Sequence, residues 1–338
     1  KESKNKIRVD FDRTSRWTRF KIKYLSSNFV VSALWYLFRL GLLIGVSYVI
    51  LQPFFSKIMS SFMSSNDFVD VTVKLIPRYP TLNTYKAIFS ENGYFEALLN
   101  TTTLSLLCAL VQTFICCLIG YGFAKFKFKG NKFLFACVIF TMIVPHNTVK
   151  FAMLIKFKYF DVLGIFKLLG GGVFPGLKVL GFDSIDLTNT YWPMVLLSLG
   201  GLAFKNGLYI YMMRQFFRGV PDELEESAYI DGSGVFRTFF TIILPLSVPM
   251  MITIFLFSFS WQWTDNFYTN LFYTNEPDLM PTIVKAAAGW ATDSRTKVMA
   301  SSAARNTAAL LIIIPLIVIY LFFQKSLVQG IERSGITG

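Results

Sequence analysis

Six long stretches of apolar residues constrain this chain more than any other feature of its sequence. They lie at approximately 35–55, 97–123, 133–153, 191–213, 239–261 and 307–323, and none of them contains Asp or Glu. The hydrocarbon core of a bilayer is about 30 Å thick, and a helix needs about 20 apolar residues to cross it. The sequence therefore predicts an all-α integral membrane protein with six transmembrane helices.

The charge balance supports a membrane-embedded chain and indicates its orientation. Of the 338 residues, 54% are hydrophobic and 16% are charged, whereas soluble domains carry about 25% charged residues. The net charge of +13 could indicate a polyanionic partner, but the cytoplasmic loops of membrane proteins are also rich in Lys and Arg. With both termini inside, about 18 basic residues fall on the cytoplasmic side and about 13 outside. We therefore predict a multi-pass cell-membrane protein with both termini in the cytoplasm and no nucleic-acid partner.

The apolar runs divide the chain into five regions. These are a basic cytoplasmic N-terminus (1–34), a first transmembrane helix (35–55), an extracellular segment (56–96), a core of five helices (97–325) with a cytoplasmic loop at 214–238, and a cytoplasmic C-terminal tail (326–338). In the first region, Trp17, Phe20 and Tyr24 recur near helical spacing among Arg and Lys residues. This pattern is typical of a basic amphipathic helix on an anionic lipid surface. A solvated basic tail is the alternative.

The reactive side chains form no catalytic or metal-binding pattern. The four cysteines lie within apolar runs and lack the spacing of a disulfide framework or a zinc site. The single histidine, His146, follows Pro145 and has neither a second histidine nor an acid beside it, so we expect it to be structural or helix-breaking. The glycines at 170–172 are not followed by the Gly-Lys-Ser/Thr of a phosphate-binding loop. We expect this chain to bind no cofactor or metal and to be no enzyme.

The loop at 214–238 differs from the other cytoplasmic segments because it is acidic. Its five acids, Asp222, Glu223, Glu225, Glu226 and Asp231, lie within ten residues. A proline before them, at position 221, suits the first turn of a helix, and acids are favoured at the positive N-terminal end. The Asp-Gly-Ser-Gly sequence at 231–234 then ends that helix. A second helix is predicted to begin near position 235 and to run until Pro245 disturbs it.

The same loop carries a recognisable motif. Glu226-Ser227-Ala228, followed after three residues by Gly232 and after nine more by Ile242, with Leu244-Pro245 beyond, resembles the EAA motif of binding-protein-dependent ABC importer permeases. Asp231-Gly232 also matches the common form, and the one departure is Ser227, where the family usually has alanine.

The resemblance covers most of the chain from about Pro80 onward. The segments 80–85, 100–101, 120–126 and 213–221 look like the corresponding segments of the carbohydrate branch of the family. The C-terminal glycines are similar to the tail of maltose-type permeases, although Thr337 stands where that tail usually has lysine. The tail residues expected to contact the ATPase are Gln329, Gly330, Gly335 and Gly338.

The resemblance implies the transmembrane domain of a type I ABC importer in a bacterial or archaeal cell membrane. Its partners would be a homologous second permease, two copies of an ATP-binding subunit that hold ATP and Mg²⁺, and an extracellular solute-binding protein. The helix after Pro221 would fit a groove on the ATPase, with Glu226 as the charged anchor and Ser227 and Ala228 as the close-contact surface. The residues assigned to coupling are Pro221, Glu225, Glu226, Ser227, Ala228, Asp231, Gly232, Leu244 and Pro245.

The solute path is less visible in the sequence. Sugars are recognised by amides, hydroxyls and aromatic faces. A charge within an apolar run must snorkel to the interface, pair with a partner or face a polar cavity, and a central position leaves less room to snorkel. The candidate path residues on these grounds are Lys205, Asn206, Tyr209, Trp261, Trp263 and Asn266. Trp and Tyr also gather at membrane interfaces. The sequence thus predicts a sugar or oligosaccharide importer subunit, with a permease for another solute, such as a peptide, and a non-transporting scaffold subunit as alternatives.

Overall fold

The computed structural model describes Trp17 and residues 27–169, 183–274, 278–282 and 294–335. Regular structure in these ranges is helical, apart from one antiparallel bridge between Phe160 and Ile185. The first half of the chain forms α1 (Ser27–Ser61), α2 (Ser65–Val69), α3 (Asn83–Glu91), α4 (Tyr94–Lys125), α5 (Asn131–Ile143), α6 (His146–Lys158) and α7 (Ile165–Leu169). The second half forms α8 (Trp192–Leu199), α9 (Asn206–Arg218), α10 (Glu223–Ile230), α11 (Val235–Thr238), α12 (Leu244–Trp263), α13 (Phe267–Phe272) and α14 (Ser294–Gly335).

The chain separates into two compact units, Lys1–Met59 and Ser60–Gly338. Most of α1 belongs to the first unit, and large apolar side chains such as Trp35, Phe38 and Tyr48 are exposed around it. A helix that is apolar on all sides is stable in lipid rather than in water. The amphipathic helix predicted for the N-terminus lies outside the described residues, apart from Trp17.

Four helical stretches are long and apolar enough to cross a membrane. They are Val31–Ser61, Tyr94–Lys125, Val235–Trp263 and Lys297–Lys325, and a bent pair, α5 and α6, makes a fifth if it is counted as one span. These stretches coincide with five of the six predicted runs. The structure therefore supports the coarser prediction, an all-helical membrane protein with several spans.

The third run is not a continuous helix, contrary to the prediction. Helices α5 and α6 meet at an angle of 101°. Val144 has extended dihedral angles, φ −65° and ψ 119°, between the end of α5 and Pro145. Proline disfavours the helical conformation of the preceding residue and donates no backbone hydrogen bond, so the helix ends there. His146 is the first residue of α6, in keeping with the helix-breaking position expected for it.

The fourth run is also not one continuous helix. Helix α8 ends at Leu199, and α9 begins only at Asn206. Between them, Gly201 (φ 67°) and Lys205 (φ 65°) both have left-handed backbone conformations. Such residues cannot continue a right-handed helix, and for a side chain other than glycine the conformation costs about 1–2 kcal/mol. Lys205 is therefore held in a strained position by the surrounding fold.

Helix α4 forms the centre of the second unit and packs against α8, α9 and α12, while α12 also packs against α14. The close approach of α4 and α9 depends on Gly120, because a Cβ at this position would lie 2.5 Å from the Cβ of Met213. A buried polar link joins three helices: Gln112 Nε2 donates to Ser198 Oγ (3.2 Å), and Ser258 Oγ donates to Gln112 Oε1 (2.7 Å). The core is thus built around one long, well-packed helix.

The fifth run reaches α12 through a local change of helix type. Residues Phe239–Ile243 form a π-helical turn directly before Leu244 and Pro245. A proline ring clashes with the carbonyl four residues earlier in an α-helix and provides no N–H, and π-turns absorb such disturbances. The predicted disturbance at Pro245 is therefore present, and the chain still passes from α11 into α12 without a break.

The segment that follows α1 is organised by the buried carboxylate of Asp67. This group accepts hydrogen bonds from the backbone N–H groups of Ser64 (3.2 Å), Arg78 (3.3 Å) and Tyr79 (3.1 Å). Burial acts to raise the pKa of Asp67, but these hydrogen bonds outweigh it and lower the pKa below its ordinary value. An ion pair between Arg78 and Asp70 (3.0 Å) closes the same loop.

Candidate functional site

The acidic loop forms the short helix α10 at the far end of α4. The backbone N–H groups of Glu225 and Glu226 donate to the carbonyl of Asp222 (3.0 Å each), which starts the helix. Lys125, the last residue of α4, donates to the carboxylate of Asp222 and to the carbonyl of Val220 (2.7 Å). The hydrogen bond and the positive charge of Lys125 lower the pKa of Asp222. The loop is therefore fastened to α4 at the point where α10 begins.

The opposite end of α10 is closed by a Schellman motif. The N–H of Ser233 donates to the carbonyl of Ala228 (2.9 Å), and the N–H of Gly232 donates to the carbonyl of Tyr229 (3.0 Å). Gly232 has φ +82°, and a Cβ added there would meet nothing within 4 Å. The glycine is thus required by the left-handed backbone rather than by lack of space.

The two faces of α10 have different surroundings. Glu225 (8% exposed) and Ala228 are buried against the chain itself, while Glu226 and Ser227 are exposed. Ala228 also lines a depression of about 240 Å³ between α10 and the following turn, with Ser227, Asp231, Ser233, Arg237 and Ile242. Of the three residues Glu226, Ser227 and Ala228, the first two are therefore open to a partner, while Ala228 is buried and lines the depression.

Two exposed apolar residues beside this surface were missed by the sequence reasoning. Ile230 is 86% exposed and Phe236 is 82% exposed, one at the end of α10 and the other in α11. Exposed large apolar side chains can mark protein interaction sites. The sequence reasoning followed the acids of the loop and did not consider its apolar residues.

The remaining residues predicted for coupling and for the tail lie in α12 and α14 or beyond the described residues. Leu244 packs against a core cluster that includes Met213 and Ile243, and Pro245 begins α12 after the π-turn. In the tail, Gln329, Gly330 and Gly335 lie within α14, which continues as a helix to Gly335, whereas Gly338 lies outside the described residues. The predicted tail is therefore helical over most of its length.

A second site lies where the two broken runs face each other. A cavity of about 370 Å³ is lined by residues 141–146, which span the break between α5 and α6, and by residues 201–208, which span the break between α8 and α9. Two of the predicted path residues, Lys205 and Asn206, line it together with His146. The sequence reasoning missed His146 as a lining residue because its position next to Pro145 suggested only a structural role.

The Lys205 side chain lies among aromatic rings. Its Nζ is 5.0 Å from the ring centroid of Trp261 and 5.3 Å from that of Phe204. Phe204 in turn lies 4.6 Å from the His146 ring, centroid to centroid. Trp261 is half exposed, and Phe204 also lies against it, at 5.5 Å between ring centroids. Lys205 and Trp261, which the sequence proposed separately, are thus brought together.

The remaining path candidates have other environments. Trp263 is buried, and its Nε1 donates to the carbonyl of Ile312 (2.9 Å), which fastens α12 to α14. Tyr209 is buried in the core between α4 and α9. Asn266 is exposed and accepts from the side chain of Asn270 (2.7 Å). The structure therefore places only Lys205, Asn206 and Trp261 at or beside the cavity.

Within the described ranges, no three His, Cys, Asp or Glu side chains are arranged to hold a metal ion. Asp265, at the end of α12, carries its carboxylate against the first turn of α13, where it accepts from the N–H of Thr269 (2.9 Å). Burial raises the pKa of Asp265, although these hydrogen bonds act in the opposite direction. This acid is thus used to cap a helix.

Residues 117–333 match the protein family described as "Binding-protein-dependent transport system inner membrane component". The chain is 27% identical over 308 residues to the polygalacturonan/rhamnogalacturonan transport system permease protein YtcP of Bacillus subtilis (strain 168), covering 88% of this chain and 96% of that protein. It is 28% identical over 310 residues to the galactooligosaccharides transport system permease protein GanQ of the same organism, covering 89% and 95%.

The fold is also similar to a solved structure, that of a bacterial ABC transporter involved in the import of the acidic polysaccharide alginate. The TM-score is 0.63 with 17% sequence identity, and the alignment covers 87% of this chain and 97% of the other. At this level of identity the likeness extends to the fold alone.

Proposed function

The chain belongs to the family of binding-protein-dependent transport system inner membrane components, and on that premise we propose that it is the permease subunit of an ATP-driven importer for a sugar or oligosaccharide. Two of its relatives are named for the transport of polygalacturonan/rhamnogalacturonan and of galactooligosaccharides. In this role the chain is a transport component and not an enzyme. It forms half of the translocation path, and a homologous second permease forms the other half.

The observation that carries this proposal is the construction of α10. One end is fastened to α4 through Lys125 and Asp222, and the other end passes through the Schellman turn into α11 and α12. A displacement of α10 would therefore be transmitted to two membrane helices together. The exposed Glu226 and Ser227, with Ile230 and Phe236 beside them, are the surface that an ATP-binding subunit would hold.

The remaining parts of the complex follow from the same scheme. Two ATP-binding subunits, which bind ATP and Mg²⁺, lie on the cytoplasmic side, and a solute-binding protein delivers the sugar from outside. Counting each broken run as one span gives six spans, with both termini in the cytoplasm of a bacterial or archaeal cell. The breaks in the third and fourth runs are then the non-helical segments that line a cavity within the membrane, where irregular backbone is tolerated.

The test is to reconstitute the complete complex in proteoliposomes with the Glu226→Lys variant. We expect the variant to insert and assemble, but to lose sugar uptake relative to ATP hydrolysis, because a reversed charge opposes the surface that held the acid. Glu91→Lys, which changes an exposed acid at the end of α3, is the matched control and should transport normally. Normal uptake by the Glu226→Lys complex would refute the coupling assignment.

A further inference from the structure

Glu225 differs from the other four acids of the loop at 214–238 because it is buried. Its side chain is 8% exposed, whereas the other four acids are exposed. Its Oε1 atom has no hydrogen-bond partner among the described residues. A carboxylate that is turned into the protein costs free energy unless a donor satisfies it. The partner of Glu225 is therefore expected inside the chain rather than on an ATP-binding subunit.

The contact between α4 and α10 brings Tyr121 towards this carboxylate. Lys125, the last residue of α4, pairs with Asp222, the N-cap residue of α10. Tyr121 lies four residues before Lys125, and Glu225 lies three residues after Asp222, so each lies one turn further along the same face of its helix. In keeping with this register, Glu225 and Tyr229 act electrostatically on the Tyr121 hydroxyl.

The Tyr121 ring is held by tight packing, but its hydroxyl is unsatisfied. The residue is 4% exposed, and its ring centroid lies 5.4 Å from that of Phe217 in α9 and 4.8 Å from that of Phe239 in the π-turn. The hydroxyl oxygen is buried and has no hydrogen-bond partner in the part of the chain that the structure describes. Because packing fixes the ring, the hydroxyl gains a partner when α10 moves towards it.

The relative strength of the two contacts decides which one can transmit movement. The Asp222 side chain is 75% exposed, and an ion pair that is open to water contributes little to stability. A buried hydrogen bond to a charged acceptor contributes more. The contact between Tyr121 and Glu225 is therefore the stronger of the two links once it is closed.

We propose that the Tyr121 hydroxyl donates a hydrogen bond to the Glu225 carboxylate when an ATP-binding subunit holds α10, and that this bond ties α10 to α4. Tyr121 and Glu225 are then positioning residues, and Glu225 serves inside the chain rather than at the ATPase surface. The inference rests on the proposed function, since it concerns how a movement of α10 reaches the membrane helices. The competing assignments are that Tyr229 is the partner, or that these side chains only support the fold.

The experiment measures labelled galactooligosaccharide imported per ATP hydrolysed by the complete complex in proteoliposomes, together with the melting temperature of the purified chain in detergent. Tyr121→Phe removes only the hydroxyl, Glu225→Met removes the acceptor at similar size, and Glu225→Gln retains an acceptor. The double variant Tyr121→Phe/Glu225→Met completes the cycle, and Tyr229→Phe tests the competing partner. Tyr159→Phe, which alters an exposed tyrosine at the end of α6, is the control.

We expect Tyr121→Phe and Glu225→Met each to import about tenfold less solute per ATP, the effect of losing one hydrogen bond to a charged group. The double variant should lose no more than either single variant, because both remove the same interaction. Glu225→Gln should keep most of the wild-type ratio, and Tyr229→Phe and Tyr159→Phe should keep all of it. The melting temperature of the Tyr121→Phe chain should not fall, because the bond is open in the isolated chain.

Four results would overturn the inference while leaving the proposed function standing. They are a wild-type ratio in Tyr121→Phe, additive losses in the double variant, a loss in Tyr229→Phe equal to that in Tyr121→Phe, and a lower melting temperature of the Tyr121→Phe chain that accounts for its loss of uptake. A wild-type complex that imports no sugar would overturn both the inference and the proposed function.

Discussion

Replacement of Gly232 by alanine isolates the contribution of the turn after α10. The backbone at this residue has φ +82°, and an added Cβ would have no neighbour within 4 Å. The change therefore introduces no clash, and its cost is the left-handed conformation itself, about 1–2 kcal/mol for a residue with a side chain. A cost of this size shifts the balance between the native turn and other conformations by a factor of about 5–30.

The same chain offers a matched control two residues further on. Gly234 also has free space around its Cβ position, but its backbone is extended, with φ −78° and ψ 162°. Alanine adopts this conformation without strain, so Gly234→Ala should leave the turn intact.

The assay is the number of solute molecules imported per ATP hydrolysed by the complete complex in proteoliposomes. We expect Gly232→Ala to hydrolyse ATP while importing several-fold less solute per ATP, because the loosened turn no longer transmits the movement of α10 to α12. Gly234→Ala should keep the wild-type ratio. Equal ratios for the two variants would refute the idea that α10 and its turn act as a rigid lever.

Two further predictions concern packing and pH. Gly120→Val should lower the free energy of unfolding of the purified protein in detergent by about 1–3 kcal/mol, because the valine Cβ would lie 2.5 Å from the Cβ of Met213. Gly122→Ala, whose added Cβ would have open space around it, should leave this free energy unchanged. The hydrogen bonds that lower the pKa of Asp67 should stabilise its loop fully above pH about 4 and lose this effect as the pH falls through the lowered pKa. The protection of the amides of 64–81 against hydrogen exchange, measured relative to the intrinsic exchange rate at each pH, should therefore fall in acid in the wild type and not in Asp67→Asn.

The elements that the sequence predicted well are those set by composition and local spacing. The presence of helix α10, its end at the Asp-Gly-Ser-Gly turn and the restart at Val235 follow from a row of acids and two glycines. Pro221, which was predicted in the first turn, lies just before the N-cap residue Asp222. The apolar runs follow from the requirement of lipid for uninterrupted helices, which any window of about 20 residues detects.

The break in the third run was anticipated only as a structural or helix-breaking role for His146, and the break in the fourth run was not predicted. Hydropathy averages over the residues that cause such breaks. Pro145 was visible, but prolines are tolerated in membrane helices when neighbours satisfy the freed carbonyl. The left-handed conformation of Lys205 has no sequence signal, since only the tertiary structure imposes it. Lys205, singled out by its charge within an apolar run, is among the residues that line the cavity.

The inward side of α10 was also beyond the reach of the sequence. Glu225 and Ala228 are buried against the rest of the protein, while Glu226 and Ser227 are exposed. The sequence of an eight-residue helix of mixed composition does not predict which face is buried. The same applies to Trp263, whose aromatic ring suggested a sugar contact and which instead joins α12 to α14 through Ile312.

ATP-driven accumulation of a labelled oligosaccharide tests the central claim most directly. The complete complex is reconstituted in proteoliposomes with ATP on the side of the ATP-binding subunits and with the sugar-loaded binding protein on the opposite side. We expect sugar to accumulate above its external concentration only when both ATP and the binding protein are present. No accumulation of any sugar under conditions in which a peptide does accumulate would contradict the assignment of this chain to sugar import.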